Sequence, residues 1–175
     1  MQQRAIFLDR DGVINQEKNY LFKKDDFEFI DGIFDACKYF SKLNYKIIII
    51  TNQSGIARGY YSKKDFETLT NWMLKQFKIQ KVDILDVFYC PHSPDENCNC
   101  RKPMPGMLHE AENKYNLDLK NSWLIGDKED DILAANNSGI SKTILVQSGH
   151  KINLQISNAT YILKSIHASI KVIKS

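Results

Sequence analysis

The sequence predicts an α/β protein, a Rossmann-like three-layer sandwich built on a central parallel sheet of about five strands. Three observations lead there. Short continuous apolar runs, Ala5 to Leu8 and Ile47 to Ile50, read as strands buried on both faces, the kind found inside parallel sheets. Stretches with helical spacing of apolar residues alternate with these runs, as parallel strands require. Acids and small polar residues gather directly after the runs, at the strand ends where open α/β sheets bind ligands. At 175 residues the chain has room for one well-buried core, so residues 1–175 are expected to form a single domain.

Composition excludes several classes. Charged residues make up 26% and hydrophobic ones 43%, and no apolar run is long enough to cross a bilayer. The first four residues lack the apolar run of a secretory signal, so a soluble, cytoplasmic protein is expected. The net charge of +3 is scattered, without the Lys/Arg block of a nucleic-acid binder. The expected partner is a small molecule, with no nucleic acid and no membrane. No long unpaired apolar face is evident, which makes a monomer the expected state.

The first strand, Ala5 to Leu8, runs into Asp9-Arg10-Asp11-Gly12. At strand spacing the two acids point to one side, and Gly12 lets the chain turn away. Acids so placed can share a divalent cation, one acting as nucleophile and the other handling protons. By itself the tetrad is equally an acidic turn. Residues 15–20 are polar and patternless, and with 27–30 they form a loop or flap beside this strand end. Asp31 can cap a helix ending near Asn44, with Ile33, Phe34, Cys37, Phe40 and Leu43 on its inner face. Cys37 there is core.

Residues 46–50 form the clearest buried strand, ending in Thr51-Asn52-Gln53-Ser54-Gly55. Hydroxyl, amide and backbone N–H donors of this kind suit a phosphoryl group. Arg58, on a glycine-flanked loop at the same rim, can reach a second anionic group. Ser62 starts a helix through about residue 78 with Phe66, Leu69, Met73 and Phe77 on one face, and Trp72 is read as core. A third strand, 84–89, leads into the loop 90–100. There Cys90, His92, Cys98 and Cys100 offer three sulfurs and one imidazole, a full tetrahedral set with no open position, hence a structural metal site rather than disulfides.

Arg101 and Lys102 follow directly, and Lys102 can neutralise charge on a transferring phosphoryl group. Pro105 opens a helix with Met107, Leu108, Ala111 and Tyr115 inward and His109 at the surface. A fourth strand, 122–127, ends in Gly126 and Asp127. Asp127 can supply a further metal carboxylate, with Asp131 one turn on in support, whereas Glu129 and Asp130 simply suit a helix N-terminus. Residues 143–146 make a fifth strand. Ile162, Leu163, Ile166 and Ile170 read as a terminal helix closing the sheet.

Taken in order, strand-DxDG, strand-TNQS, cation and strand-GDxxxD, this sequence resembles the haloacid dehalogenase (HAD) superfamily of phosphatases over nearly its whole length. Phe7 to Gly12, Thr51 to Gly59, Cys100 to Pro103, Pro105 to Met107 and Gly126 to Lys128 are similar to stretches of its zinc-containing, histidinol-phosphatase-like branch. The resemblance implies a minimal cap and a zinc-binding loop inserted after the third strand. It implies that Asp9 is the nucleophile, forming an aspartyl-phosphate, and that Asp11 protonates the leaving oxygen and then activates water. It assigns catalytic Mg²⁺ to the Asp9 carboxylate, the Asp11 backbone carbonyl and Asp127, and structural Zn²⁺ to Cys90, His92, Cys98 and Cys100. Thr51 and Lys102 would hold the phosphoryl group while Asn52 orients the substrate. Arg10, the flap residues Glu17, Lys18, Asn19 and Tyr20, then Gln53 and Ser54, then Arg101 and Lys128, match positions that contact substrate. Arg58 is added from its place on the rim, for a second phosphate.

The reaction implied is Mg²⁺-dependent removal of the C7 phosphate of D-glycero-D-manno-heptose 1,7-bisphosphate, on the way to nucleotide-activated heptose for lipopolysaccharide or surface glycan. The nearest rival is histidinol phosphate, whose cationic imidazole-amine would meet a cationic rim poorly; the Arg58 loop therefore favours a bisphosphorylated sugar. A non-catalytic zinc-stabilised binding module is the alternative from another class, and the paired acids speak against it. The stretch between His92 and Cys98 is shorter than in longer members of the branch, which bears on the shape of the rim.

Overall fold

A computed structural model describes residues 2–151 and 157–174. Its centre is a parallel sheet of six strands: β1 (Ala5–Leu8), β2 (Lys46–Asn52), β3 (Asp86–Cys90), β4 (Trp123–Gly126), β5 (Lys142–Val146) and β6 (Tyr161–Leu163). They lie in the order β3-β2-β1-β4-β5-β6. The order reverses at β1, so the crevice at its carboxyl end is the ligand-binding position of an open α/β sheet.

The isoleucine run of β2 shows why these strands carry no alternation. Ile47 and Ile49 belong to a core shared with Phe40, Met73 and Phe77, from α1 (Ile33–Lys42) and α2 (Lys63–Ile79). Ile48 and Ile50 face the opposite core, with Leu108 and Ala111 of α3 (Gly106–Tyr115) and Ala134 and Ala135 of α4 (Glu129–Ser138). Both faces are dry, and each buried isoleucine contributes about 1.5–3 kcal/mol. Among the described residues no helix is long and apolar enough to cross a membrane.

Helix α2 starts as its sequence dictates. The Ser62 Oγ accepts the Asp65 N–H at 3.1 Å, and the Asp65 Oδ2 accepts the Ser62 N–H at 2.8 Å, a reciprocal cap. Helix α1 departs from expectation: its cap is Gly32 in the left-handed region (φ 80°), with no side-chain bond, rather than Asp31. Glycine alone suits that conformation, and the C-terminal segment leaves a side chain no room there, since a Cβ at Gly32 would stand 2.4 Å from the His167 Nδ1.

That segment holds the other correction. Sequence spacing suggested one terminal helix from Ile162 to Ile170 and about five strands in all. Instead Tyr161–Leu163 adds β6, parallel to β5, and Ile166–Lys171 alone coils, as a 3₁₀ helix on α1. Tyr161-Ile162-Leu163 is an apolar run of only three residues at an exposed edge, shorter than the buried runs that mark β1 and β2.

The flap after β1 is clasped at its base, where the Gln16 N–H donates to the Glu28 carbonyl (2.8 Å) and the Ile30 N–H to the Ile14 carbonyl (2.9 Å). It hangs over the carboxyl end of β1.

Candidate active site

The ends of β1, β2 and β4 open into a cavity of about 230 Å³. Its floor is a buried charge network. The Lys102 ammonium, 3% exposed, donates to the Asp9 Oδ1 (3.0 Å), the Asp131 Oδ1 (2.6 Å) and the Ile50 carbonyl (3.1 Å), so all three of its hydrogens are engaged. The Asp9 Oδ1 also accepts the Arg10 N–H (2.8 Å), and the Asp131 Oδ2 accepts the backbone N–H groups of Asp127 (3.2 Å) and Lys128 (3.1 Å). Asp127 accepts from His150 on Oδ2, through the backbone N–H at 2.9 Å and Nδ1 at 2.6 Å. Its Oδ1 is buried and has no hydrogen-bond partner among the described residues.

An orphaned carboxylate oxygen is expensive to bury. Asp9, Asp127 and Asp131 bring oxygens within 4.8 Å of one another, and Lys102 is the ammonium that meets Asp9 and Asp131. An oxygen-only, net negative pocket with one unused buried ligand atom fits a hard divalent cation such as Mg²⁺. Glycines make room for Asp127. A Cβ at Gly12 or at Gly149 would lie 2.3 Å or 2.1 Å from its Oδ2.

The two acids after β1 sit in opposite surroundings. Burial pushes the Asp9 carboxyl well above the ordinary range; Lys102 opposes this, and the charges of Asp131, Asp127 and Asp11 add to it. Burial also pushes on Asp11, but the Arg10 guanidinium and hydrogen bonds from Asn15, Arg10 and Gln53 outweigh it and hold this carboxyl low. Arg10 grips Asp11 through Nε (3.1 Å) and Nη2 (3.0 Å), Asn15 donates at 3.0 Å and Gln53 at 3.1 Å. Lys102 is raised, because the Asp131 and Asp9 charges exceed the penalty of burial.

Beside the cavity, Cys90, His92, Cys98 and Cys100 turn four donor atoms toward one another at 3.2–3.5 Å. Burial raises the Cys98 thiol, yet hydrogen bonds from the Arg101 backbone and the neighbouring thiols bring it down to about 7. Burial raises the Cys90 and Cys100 thiols, so Cys98 is the one most ready to ionise; three sulfurs and one imidazole gathered in this way are compatible with zinc. The loop ends on the catalytic floor: the Lys102 N–H donates to the Asn52 Oδ1 (3.0 Å), and the Asn52 Nδ2 donates back to the Lys102 carbonyl (3.1 Å).

The structure gathers most residues singled out from the sequence. Asp9, Asp11, Thr51 and Lys102 line the cavity with Asn52, Gln53 and Ser54; Glu17, Asn19 and Tyr20 enter from the flap, and Arg58, Arg101 and Lys128 complete the rim. Two lie elsewhere. Arg10 is 1% exposed, with its guanidinium behind Asp11, bonded to the Leu21 carbonyl (2.9 Å) and set over the Phe66 ring. Lys18 turns away to pair with Glu28 at 2.5 Å. Asp130, read from the sequence only as suiting a helix N-terminus, also lines the cavity, as do His150 and Tyr61, which escaped sequence reasoning. Gly149-His150, close behind β5, was the available signal for His150, because strand ends are where ligands bind.

Comparison with known proteins agrees with this geometry. The profile of the HAD-hydrolase-like family matches residues 99–169. The D-glycero-alpha-D-manno-heptose-1,7-bisphosphate 7-phosphatase of Photorhabdus laumondii is 49% identical over 163 residues, covering 89% of each chain. The D-glycero-beta-D-manno-heptose-1,7-bisphosphate 7-phosphatase of Yersinia pestis is 40% identical over 179 residues, covering 98% of this chain and 95% of its own. Among solved structures, the D,D-heptose 1,7-bisphosphate phosphatase of B. bronchiseptica, complexed with magnesium and phosphate, superposes with a TM-score of 0.85 at 29% identity over 97% of both chains. Identity at this level over almost the full length is decisive: the chain belongs to the heptose-1,7-bisphosphate 7-phosphatase family of the haloacid dehalogenase superfamily.

Proposed function

We propose that the protein is a Mg²⁺-dependent phosphatase that removes the C7 phosphate of D-glycero-D-manno-heptose 1,7-bisphosphate, leaving heptose 1-phosphate. The observation that carries this reading is the Asp9–Lys102–Asp131 network beside the orphaned Asp127 Oδ1, at the bottom of a cavity with a cationic rim. Asp9 Oδ1 is occupied by Lys102 and the Arg10 N–H, so Oδ2 attacks phosphorus. An Asp9–phosphate bond forms, the bond from phosphorus to the sugar oxygen breaks, and Asp11 gives its proton to that oxygen. Water then attacks phosphorus as the bond from phosphorus to the Asp9 Oδ2 breaks, its proton passes to Asp11, and inorganic phosphate leaves with the Asp9 carboxylate restored.

Asp11 is held ionised in the free protein, which suits the second half. A phosphate dianion beside it raises its proton affinity for the first. The Asp9 carboxylate, the Asp11 backbone carbonyl and Asp127 would hold magnesium, which when bound would supply positive charge that offsets repulsion between the nucleophile and the phosphate. Thr51 and Lys102 stabilise the transferring group with fixed dipole and charge. Asn52 holds Lys102 in place and orients the substrate. Arg58 takes the C1 phosphate, with Glu17, Asn19, Tyr20, Ser54, Arg101 and Lys128 around the sugar. Zinc in the Cys90–His92–Cys98–Cys100 cluster is structural. The reading covers both anomers, since alpha-named and beta-named relatives lie at similar identity, and it includes a monomer acting in the cytoplasm in nucleotide-activated heptose synthesis.

The test is phosphate release with Mg²⁺ from both heptose bisphosphate anomers and from histidinol phosphate. We expect one of the heptose anomers to exceed histidinol phosphate in kcat/KM by at least about 100-fold, and Asp9→Asn to lose more than about 1,000-fold in kcat. Preference for histidinol phosphate overturns the substrate; near-normal turnover by Asp9→Asn overturns the covalent mechanism.

A further inference from the structure

Gln53 holds both sides of the proposed chemistry through a single nitrogen. Its Nε2 donates to the Asp11 Oδ2 at 3.1 Å and to the Thr51 Oγ1 at 2.8 Å, using both amide hydrogens. Its Oε1 points the other way and accepts the Tyr61 hydroxyl at 2.5 Å. All three side chains are sequestered: Thr51 is 1% exposed, Gln53 3% and Tyr61 6%. An amide with Nε2 turned to a carboxylate must leave Oε1 facing inward, and a buried carbonyl oxygen without a donor is unstable there. Tyr61 supplies that donor.

The place of Tyr61 is built rather than incidental. Its ring stacks on Phe22 of the flap, with centroids 5.4 Å apart and planes 17° from parallel. It also runs over Gly55, where a Cβ would stand 2.2 Å from the Tyr61 Cε1. The consequence is directional. Because Thr51 Oγ1 accepts from Gln53, its own hydroxyl hydrogen is free to donate toward the cavity.

We propose that Tyr61 is a positioning residue: its hydroxyl fixes the orientation of the Gln53 amide, which aims the Thr51 hydroxyl as a donor at the transferring phosphoryl group and steadies Asp11. This rests on the phosphatase reading above. Without the hydroxyl, Oε1 seeks another donor, the amide turns, and Thr51 and Asp11 lose a shared anchor. Substrate still binds through the rim, which Tyr61 does not form alone.

The experiment compares wild type, Tyr61→Phe, Gln53→Ala and the double variant on heptose 1,7-bisphosphate, and follows solvent exchange of the Gln53 side-chain NH₂ by NMR. Tyr61→Phe keeps the stacked ring. We expect kcat to fall about tenfold with KM within twofold, faster NH₂ exchange, and no further loss when Tyr61→Phe is added to Gln53→Ala. An unchanged kcat in Tyr61→Phe, or a full additional loss in the Gln53→Ala background, overturns the proposal, since simple packing would act independently of Gln53. Slow NH₂ exchange in a wild type that hydrolyses no phosphate ester would overturn the phosphatase reading, and with it the catalytic purpose of the lock, while leaving the lock itself standing.

Discussion

Asp9 and Asp11 stand two positions apart, and the neighbours of each decide its chemistry. Asp9 faces other carboxylates and depends on one ammonium, whereas Asp11 is wrapped by donors from Arg10, Asn15 and Gln53. The carboxylates gathered around Asp9 call for a bound cation, which would return Asp9 to the ionised form a nucleophile needs, whereas the donors around Asp11 fix its carboxyl in place. Gly12 belongs to the same unit: at φ 86° it turns the chain and leaves space for the Asp127 Oδ2, 2.3 Å from where a Cβ would stand. Gly12→Ala should cost about 1–3 kcal/mol in urea unfolding and lower kcat at least tenfold; full activity would show that Asp127 tolerates displacement. At this scale the strand periodicity made the pair of acids legible. It could not show that Arg10 turns its side chain back on Asp11, which alternation sets on the opposite side, nor that Tyr61 and His150 arrive from other loops, because no local pattern encodes a contact made across the fold.

Among the elements, the loop 90–100 ties metal binding to the position of one cation. The four ligand atoms converge beside β3, and two residues past Cys100 the Lys102 backbone is bonded to Asn52 at both ends. Zinc removal by chelator under reducing conditions, or Cys100→Ser, should therefore lower kcat at least tenfold while far-ultraviolet circular dichroism keeps the signal of the sheet and helices. A zinc-free protein of full activity would separate the loop from catalysis. Element legibility followed burial. The strand β2 declared itself through four isoleucines divided between two dry cores. The strand β6 did not, because Tyr161 and Ile162 are exposed and the spacing of Ile162, Leu163, Ile166 and Ile170 imitates a helix face. The Ser62–Asp65 cap was plain because it needs only neighbours in sequence.

Across the whole molecule, the edge strand β3 is pinned to α3 by Asp86, which accepts from the Lys114 Nζ and the Tyr115 hydroxyl, each at 2.8 Å. Burial raises this carboxyl somewhat, but hydrogen bonds from Lys114, Tyr115 and the Val87 N–H outweigh it and hold it below its ordinary value. A group lowered in the folded state stabilises fully above its unfolded pKa, near 4, and loses that contribution as pH falls through the folded value. Asp86→Asn should thus lower the free energy of urea unfolding at pH 7 slightly, by less than about 1 kcal/mol, and leave stability at pH 3 closer to wild type. An equal loss at both pH values would assign the effect to packing. The catalytic floor is locked between both cores and its own glycines, but Asn19, Tyr20, Arg58 and Tyr60 at the mouth are exposed, with the Tyr20 and Tyr60 rings meeting edge-on at 4.7 Å. On the proposed reading these positions bear on which ester enters, and being exposed they contribute little to whether the chain folds. Mutational drift, or a library confined to those four sites, can therefore explore new substrates from a constant melting temperature, with the hydrolytic apparatus inherited intact.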